Sequence, residues 1–420
     1  MSCTFYLAFR INIRMLLSNI VHKFHGYRNI SLISLSALFF TLGNGVVWFV
    51  LPIIAEKLVD NLIVFGVLMA LPFFIQFLFD IPLGMISDYL GRKKLIITGL
   101  FFMFLLGIYL PYTSSIIPYV IFMIILGVAG LIIVVPARSY VMRISPANKS
   151  SEFFGIFETL YQLGFTIGPV IAGYLLLVGL NQGVSYSGLF YSFVCLISIA
   201  FLLFLPDIVV GTHSIRHIIT SFIHHDKIYL RGILDYRDLN YAGLTVLLST
   251  FVFVTIDGIT WAIEPLYTTE GYSTEFVGLL LSVFVIPFLL FELPAGIIAD
   301  RFGKTKVLFG GMLMGGIFFI LFGLVDSKPL LLTSAFLSST GLALSKPAID
   351  GFLTDISSKK ERGGIVGVWN MTEDLAYVIS PIIGGIIAEY YGLQLTFIFC
   401  GGLLIVSIPV LVFLLRKAHI

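Results

Sequence analysis

The sequence predicts an all-α integral membrane protein in which twelve transmembrane helices form two pseudo-symmetric six-helix bundles. Composition is the first reason, because hydrophobic residues make up 58% of the 420-residue chain and charged residues only 11%. Soluble domains typically contain about 25% charged residues, so we expect this chain to be embedded in a lipid bilayer. The second reason is an internal repeat. Residues 79–94 read FDIPLGMISDYLGRKK, and residues 291–306, 212 positions later, read FELPAGIIADRFGKTK.

Twelve apolar segments are long enough to cross a bilayer, since about 20 helical residues span its hydrocarbon core. Turn residues or charges separate most of them, and one long polar connection falls between spans six and seven. We place the spans at 30–56, 62–87, 94–112, 114–138, 152–178, 186–206, 241–266, 275–299, 306–325, 329–351, 364–388 and 392–415. The predicted domains are a basic interfacial segment at 1–29, an N-terminal six-helix bundle at 30–206, a linker at 207–238 and a C-terminal six-helix bundle at 239–420.

The distribution of Lys and Arg predicts the orientation of these spans, because cytoplasmic loops are enriched in both residues. When the N-terminus is placed in the cytoplasm, Lys57 and Lys328 are the only two of the 25 basic residues that fall outside. We therefore expect a multi-pass protein of the cell membrane whose two termini and linker are cytoplasmic. Met1 and Met15 are both possible starts of translation.

A charged motif follows predicted spans two and eight. Residues 84–93 read GMISDYLGRK, and residues 296–304 read GIIADRFGK. Both segments resemble the motif G-x-L-A-D-R-x-G-R-K of the major facilitator superfamily, which lies between spans two and three and has a counterpart between spans eight and nine. With the duplication and the central linker, the resemblance covers nearly the whole chain. It implies the fold of a transporter that works by alternating access.

The resemblance also implies which motif residues close the cytoplasmic side. The glycines allow close packing or a tight turn, and the aspartates can accept from a neighbouring helix N-terminus. These gate residues are Gly84, Asp88, Gly91 and Arg92 in the first copy, and Gly296, Asp300, Arg301 and Gly303 in the second. The first copy departs from the motif at Tyr89, where the family usually has arginine. A simpler role for the basic residues is to fix orientation.

Predicted span five carries regularly spaced small residues at 155–173, which read GIFETLYQLGFTIGPVIAG. This segment is similar to the span-five motif of proton-coupled drug exporters within the superfamily. Small residues give a smooth face for helix contact, and a proline adds a local bend. The motif residues are Gly155, Gly164, Gly168, Pro169 and Gly173. Gly-Pro in span five also occurs in relatives that are not exporters, so the direction of transport stays open.

Predicted span seven contains an acidic residue deep in the bilayer, where an ionisable side chain costs roughly 2.5–3.5 kcal/mol to insert. Asp257 is followed one turn later by Trp261, and the corresponding residues of the first copy are Asn44 and Trp48. Spans one and seven line the central cavity in the family, so the resemblance places all four residues near substrate. A carboxylate there suits proton uptake and release. The alternative is a structural hydrogen bond between the halves.

Two symmetry-related spans carry matching polar faces. The polar residues are Glu158, Tyr161 and Gln162 in span five, and Asn370, Glu373 and Asp374 in span eleven. Because residues at i, i+3 and i+4 share one helix face, we expect both sets to line a shared cavity. An alternative places Glu373 and Asp374 at the cytoplasmic gate, against the loop of Asp88.

Two further acids, Asp80 and Glu292, are also related by the repeat. Arg138 in span four and Lys346 in span ten are basic residues at comparable depth. Because buried charges need partners, we expect one acid–base pair within each half. Their expected role is structural.

These observations favour a secondary active transporter, most plausibly one that exports amphipathic or cationic small molecules against proton entry. The acidic, aromatic character of the predicted cavity favours such substrates. One alternative is uptake of a sugar or another metabolite, either proton-coupled or facilitative. A remote alternative is a membrane sensor that transports nothing.

Other functional classes find no support in the sequence. No nucleophile–base pair indicates an enzyme, and the scattered basic residues do not indicate nucleic-acid binding. His213 and His217 lack a third ligand for a metal, and Cys3, Cys195 and Cys400 lie far apart. We therefore expect no cofactor, a proton gradient as the energy source, and a monomer whose partners are its substrate and the lipid bilayer.

Overall fold

The computed structural model describes residues 2–146, 150–207, 241–356 and 362–418. Within its helices, side chains are not described at 2–26, 81–90, 150–151, 293, 355–356 and 362–367. The predicted linker and its histidines, His213 and His217, lie outside the described residues.

The described residues form twelve α-helices. They are α1 (Ser2–Leu58), α2 (Leu62–Leu90), α3 (Arg92–Tyr109), α4 (Ile116–Ile144), α5 (Ser150–Leu175), α6 (Leu180–Leu203), α7 (Tyr241–Ile263), α8 (Thr274–Phe302), α9 (Lys304–Leu324), α10 (Lys328–Ile356), α11 (Arg362–Tyr391) and α12 (Leu393–Lys417). Short 3₁₀ turns follow three of them, at Leu110–Tyr112, Leu176–Val178 and Glu264–Thr268. The described part of the predicted basic segment, residues 2–29, is helical and belongs to α1.

Eleven of these helices are long and apolar enough to cross a membrane within the part of the chain that the structure describes. The other helix, α10, has 29 residues but is less apolar because serines and threonines interrupt it. Their hydroxyl groups bond to backbone carbonyls, as in the contact of Ser334 with the Leu330 oxygen at 2.6 Å. A hydroxyl satisfied in this way costs little in an apolar environment.

The packing of α1–α6 is repeated by α7–α12. The helix α1 packs on α5 and α6, α2 on α4, and α3 on α4 and α6; the same partners recur six helices later. We call these sets the first half and the second half. The main contacts across the halves are α2 with α11 and α5 with α8, which the repeat also relates to each other.

The helices alternate in direction, which gives the bundle two distinct ends. At the distal end, which holds the α1–α2 and α7–α8 connections, Tyr119 donates to the Leu51 oxygen at 3.1 Å. At the proximal end, which holds the α2–α3 and α8–α9 connections, Lys93 donates to the Leu205 oxygen at 2.6 Å.

Glycines bring the two halves together at the distal end. A Cβ atom on Gly173 would lie 2.5 Å from the Thr274 oxygen, so only glycine permits this approach. Across this contact the Thr274 hydroxyl donates to the Gly173 oxygen at 2.9 Å. Four such contacts, here called the distal seams, are Gly66 with Pro381, Gly278 with Pro169, Gly173 with Thr274, and Gly385 with Leu62. Each contact has its counterpart 212 residues away in both partners.

Candidate substrate and proton site

A row of aromatic rings crosses from the first half to an acid of the second half. The rings of Trp48 and Phe73 stack with centroids 5.2 Å apart, and those of Phe73 and Tyr377 with centroids 5.1 Å apart. The Tyr377 hydroxyl then donates to Oδ2 of Asp257 at 2.9 Å. All four side chains are half-buried. Asp257 is therefore an acceptor at the end of an apolar, aromatic surface.

A second aromatic row reaches α7 from α5. The edge of Trp261 meets the Phe165 ring at 5.6 Å between centroids, and Phe165 contacts Tyr161 at 5.5 Å. Since Asp257 and Trp261 are one helical turn apart, the two rows flank the same stretch of α7. An aromatic surface of this kind beside a carboxylate can hold a cation or a flat apolar group.

The side chain of Asn44 faces into the first half, although the resemblance placed it near substrate together with Asp257. Its amide group donates to the Phe40 oxygen at 3.2 Å and accepts from the Tyr191 hydroxyl at 3.3 Å. These contacts turn the buried side chain toward α6, inside the first half. The repeat therefore relates Asn44 to Asp257 in the chain, but the two side chains have different hydrogen-bond partners.

The predicted acid–base pairing differs between the halves. Nζ of Lys346 lies 3.2 Å from Oε1 of Glu292, which is the expected partner. Nε of Arg138 instead lies 3.4 Å from Oε1 of Glu158, because α5 presents that acid to the end of α4. Asp80, the expected partner of Arg138, has no ion pair among the described residues.

Further acids gather around these two pairs from both halves. Glu373 lies near enough to interact electrostatically with Arg138, Lys346 and Asp350, and Asp374 with Asp80 and Glu373. We call the whole set the acidic cluster. It contains two bases and six acids, namely Arg138, Lys346, Asp80, Glu158, Glu292, Asp350, Glu373 and Asp374. The excess of acids favours cations over anions in this region.

The remaining polar residues of the two matching faces are half-buried amides. Neither Gln162 nor Asn370 makes a side-chain hydrogen bond within the described residues. Both amides are therefore available as donors and acceptors for a bound molecule.

The loop motif forms matching turns at the proximal end. Gly91 and Gly303 have φ angles of 91° and 98°, which glycine adopts without strain. The guanidinium group of Arg92 donates to the Ser139 oxygen at 2.8 Å. Lys304, its counterpart in the repeat, donates to the Gly351 oxygen at 3.0 Å. These bonds join each motif to the helix that packs beside it in the same half.

The other predicted gate residues make fewer contacts that the structure describes. Asp300 and Arg301 are exposed, and the Arg301 guanidinium lies 5.7 Å from the centre of the Phe302 ring. A Cβ atom on Gly296 would lie 3.8 Å from Cβ of Pro347, which is an ordinary contact distance. The side-chain surroundings of Gly84 and Asp88 lie outside the described residues.

The span-five glycines divide between two interfaces. A Cβ atom on Gly164 would lie 2.6 Å from the Leu38 oxygen, and one on Gly168 would lie 2.6 Å from Cα of Gly45. These two glycines therefore seat α5 on α1, within the first half. Pro169 and Gly173 belong to the distal seams, and Gly155 faces open space.

Sequence reasoning did not identify Tyr377, Asp350 or Phe73 as residues of this site. For the first two, a comparison of the two copies of the repeat could have done so. Tyr377 is the counterpart of Phe165, and Asp350 is the counterpart of Arg138. A hydroxyl or a reversed charge that appears in only one copy marks a position where the halves differ. Phe73 has no such signal, because phenylalanine is common in apolar spans.

The described residues contain no group of three or more His, Cys, Asp or Glu placed to hold a metal ion. Cys195 and Cys400 are buried free thiols.

Comparisons with known proteins agree with this architecture. The family described as the Major Facilitator Superfamily matches residues 33–225 and 246–419. An uncharacterized MFS-type transporter of Methanocaldococcus jannaschii is 23% identical over 377 residues, 87% of this chain and 92% of that protein. The class E tetracycline resistance protein of Escherichia coli is 25% identical over 358 residues, 81% of this chain and 83% of that protein. A crystal structure of a D-xylose–proton symporter superposes with a TM-score of 0.72 at 17% identity, covering 92% of this chain and 97% of that one. The chain therefore belongs to the major facilitator superfamily and is a membrane transporter rather than an enzyme.

Proposed function

We propose that this transporter exports cationic or amphipathic small molecules from the cytoplasm in exchange for protons. All twelve helices then span the cell membrane as two six-helix bundles, with both termini in the cytoplasm, and a monomer is the working unit. The single observation that carries the proposal is the Asp257 carboxylate, held by Tyr377 at the end of an aromatic row. The similarity to tetracycline resistance proteins supports the direction.

The proposed exchange uses one carboxyl group for two alternative ligands. A cation from the cytoplasm binds between the aromatic rows, and the Asp257 proton leaves toward the cytoplasm. The halves then rock, and on the outside a proton returns to Asp257 as the cation departs. One proton enters for each cation exported, so the proton gradient drives export.

The conformation fits the inward-facing stage of this cycle. The distal seams hold the halves together at one end. The side chains of Arg138 and Glu158 in the acidic cluster are 52% and 37% exposed. If the positive-inside rule sets the orientation, the distal end is extracellular and the cluster is open toward the cytoplasm.

Inside-out vesicles that carry a pre-formed proton gradient test the proposal. We expect tetraphenylphosphonium, a lipophilic cation, to collapse the gradient in vesicles with the wild-type protein but not in those with Asp257→Asn. The matched control is Asp60→Asn, which changes an exposed acid in the α1–α2 connection and leaves the collapse intact. Equal collapse by wild type and Asp257→Asn would overturn the proposal.

Uptake of a sugar is the second candidate. The half-buried amides of Gln162 and Asn370 and the similarity to the xylose symporter fold favour it. Whole cells would then accumulate labelled xylose through the protein, and Asp257→Asn would not change the rate. Export of the cation with no uptake of xylose would dismiss this alternative.

A further inference from the structure

A second carboxyl group lies deeper in the protein than Asp257. Glu264 begins the 3₁₀ turn Glu264–Thr268 directly after α7, and its exposed fraction is 0%. Neither of its carboxylate oxygens has a hydrogen-bond partner in the described part of the chain. Among the described residues the hydroxyl of Tyr267 is likewise buried without a hydrogen-bond partner. Because residues at i and i+3 eclipse in a 3₁₀ turn, these two groups belong to the same face.

The surroundings of Glu264 come from both halves. Its turn packs against α1 of the first half and against α8 and α12 of the second. The Tyr267 ring contacts Phe322 and Phe397 at 5.5 and 5.8 Å between centroids. The titratable and charged groups near the distal end are Glu56 and Lys57 of α1, Glu275 of α8, Glu270 and Tyr272 of the α7–α8 connection, and Asp326 of the α9–α10 connection. Within the described residues none of them forms a hydrogen bond or an ion pair with Glu264.

An ionised carboxylate in such a place is very unfavourable. Burial of a charge without a partner costs so much that the group takes up a proton instead, whereas a neutral acid forfeits only its hydrogen bonds. A hard metal cation is a poor alternative, because Ca²⁺ takes 6–8 oxygen ligands and this face offers one carboxyl group and one phenol.

Packing alone does not require an acid at this position. The repeat aligns α1 with α7 at an offset of 213, one more than elsewhere, as Asn44 with Asp257 and Pro52 with Pro265 show. Glu264 therefore corresponds to Leu51, which is also 0% exposed. An apolar side chain therefore fills the equivalent place in the first half. The second half has a titratable group where the first half has none.

We infer that Glu264 is a second proton-binding group, which must be protonated for the distal end to close. When the halves separate at this end, the turn loses its cover from α1 and water reaches the carboxyl group, which then releases its proton. Closure returns the carboxyl group to its apolar site and requires a proton from the distal side. Asp257 lies seven residues earlier, about 10 Å along the helix, so the two groups are distinct sites.

Infrared difference spectroscopy on the protein in lipid vesicles tests the protonation directly. A carboxylic acid without hydrogen bonds absorbs at the high-frequency end of the carboxyl carbonyl region. We expect this band in the wild type and in Asp257→Asn, and we expect its loss in Glu264→Gln and Glu264→Leu. A wild-type spectrum without the band, or a band that survives both Glu264 variants, would overturn the inference.

A thiol-labelling experiment tests the link to closure. A Thr274→Cys reporter, with the three native cysteines changed to serine, places a thiol at a distal seam. Labelling by a membrane-impermeant reagent should rise with external pH, by about tenfold per pH unit at most for a single linked proton. In the same background Glu264→Gln should label slowly at every pH, and Glu264→Leu serves as the second neutral variant. Equal pH dependence with and without Glu264 would contradict the link.

Neither readout depends on the substrate or on Asp257. The Glu264 inference can therefore fail while the exporter proposal stands, and the reverse also holds.

Discussion

The distal seams and the centre of the membrane use the internal repeat in opposite ways. At the seams the contact of Gly66 with Pro381 is repeated by that of Gly278 with Pro169. In both contacts a glycine of one half packs on a proline of the other. At the centre, Phe165 in one copy is Tyr377 in the other, and Asn44 in one is Asp257 in the other.

The two central differences meet in one hydrogen bond. The hydroxyl that distinguishes Tyr377 from Phe165 donates to the carboxylate that distinguishes Asp257 from Asn44. Closing two halves against each other needs equivalent surfaces on both sides of the symmetry axis. Proton exchange needs only one carboxyl group. The second copy can therefore carry Asp257, while the uncharged Asn44 of the first copy packs inside its own half.

The largest expected effect comes from breaking a seam. Gly66→Leu and Gly278→Leu each place a whole side chain against a backbone that cannot retreat, so the cost exceeds the roughly 1–3 kcal/mol that is typical of a few extra methylenes in a packed core. We expect each variant to prevent distal closure and to lose transport almost completely. Transport assays normalised to protein level, with a size-exclusion profile for folding, measure the loss.

Gly155→Leu is the matched control, because a Cβ atom at Gly155 meets no atom of the described residues within 4 Å. It should transport at the wild-type rate. If one seam variant were tolerated and its counterpart were not, the two seams would not be equivalent.

An intermediate effect is expected from restoring symmetry at the centre. Tyr377→Phe removes the hydroxyl bonded to Asp257, and a hydrogen bond to a charged group contributes about 1.5–3 kcal/mol. We expect cation-driven proton movement in vesicles to fall by roughly 10- to 100-fold, since 1.4 kcal/mol corresponds to tenfold. The mirror variant, Phe165→Tyr, keeps the ring and leaves the bond between Tyr377 and Asp257 intact, so it should lower the rate far less than Tyr377→Phe. A full rate in Tyr377→Phe would show that this bond has no part in coupling.

The smallest effects should come from the ion pairs of the acidic cluster. Lys346→Met breaks the pair with Glu292, whose side chains are 33% and 34% exposed. Because water screens both charges in part, we expect a loss of about 1 kcal/mol in stability. Arg138→Met should cost less, since the Arg138 side chain is 52% exposed. Thermal unfolding in detergent compares the loss of stability in the two variants. A larger loss of stability in Arg138→Met than in Lys346→Met would contradict the structure.

Much of the fold could be predicted because hydropathy and the repeat act over long stretches of chain. The helices fall close to the predicted spans. Apart from α1, which extends back to Ser2, the largest difference in a start is at α6, which begins at Leu180 rather than at residue 186. Gly179, with a φ of 102°, is the N-cap residue of this helix, but Asn181 and Gln182 make its first turn too polar to count as part of an apolar span.

The site could be predicted only in part, because helical periodicity does not say which neighbour a face meets. Asp257 was identifiable as a costly charge, yet its partner Tyr377 lies 120 residues away. Asn44 has the right position in the repeat but turns to Tyr191, which only three-dimensional packing shows. Glu264 stood at the end of a span, where acids are common, so its complete burial was not evident from the sequence.

In the proposed exchange, a bound cation replaces the proton on Asp257. Purified protein in a weakly buffered solution with a pH indicator tests it without any membrane gradient, when tetraphenylphosphonium is added and the pH is followed. We expect wild-type protein and Asp60→Asn to release one proton for each bound cation, and Asp257→Asn to release none. Release of the same number of protons by Asp257→Asn, or binding by the wild type without any release, would contradict it.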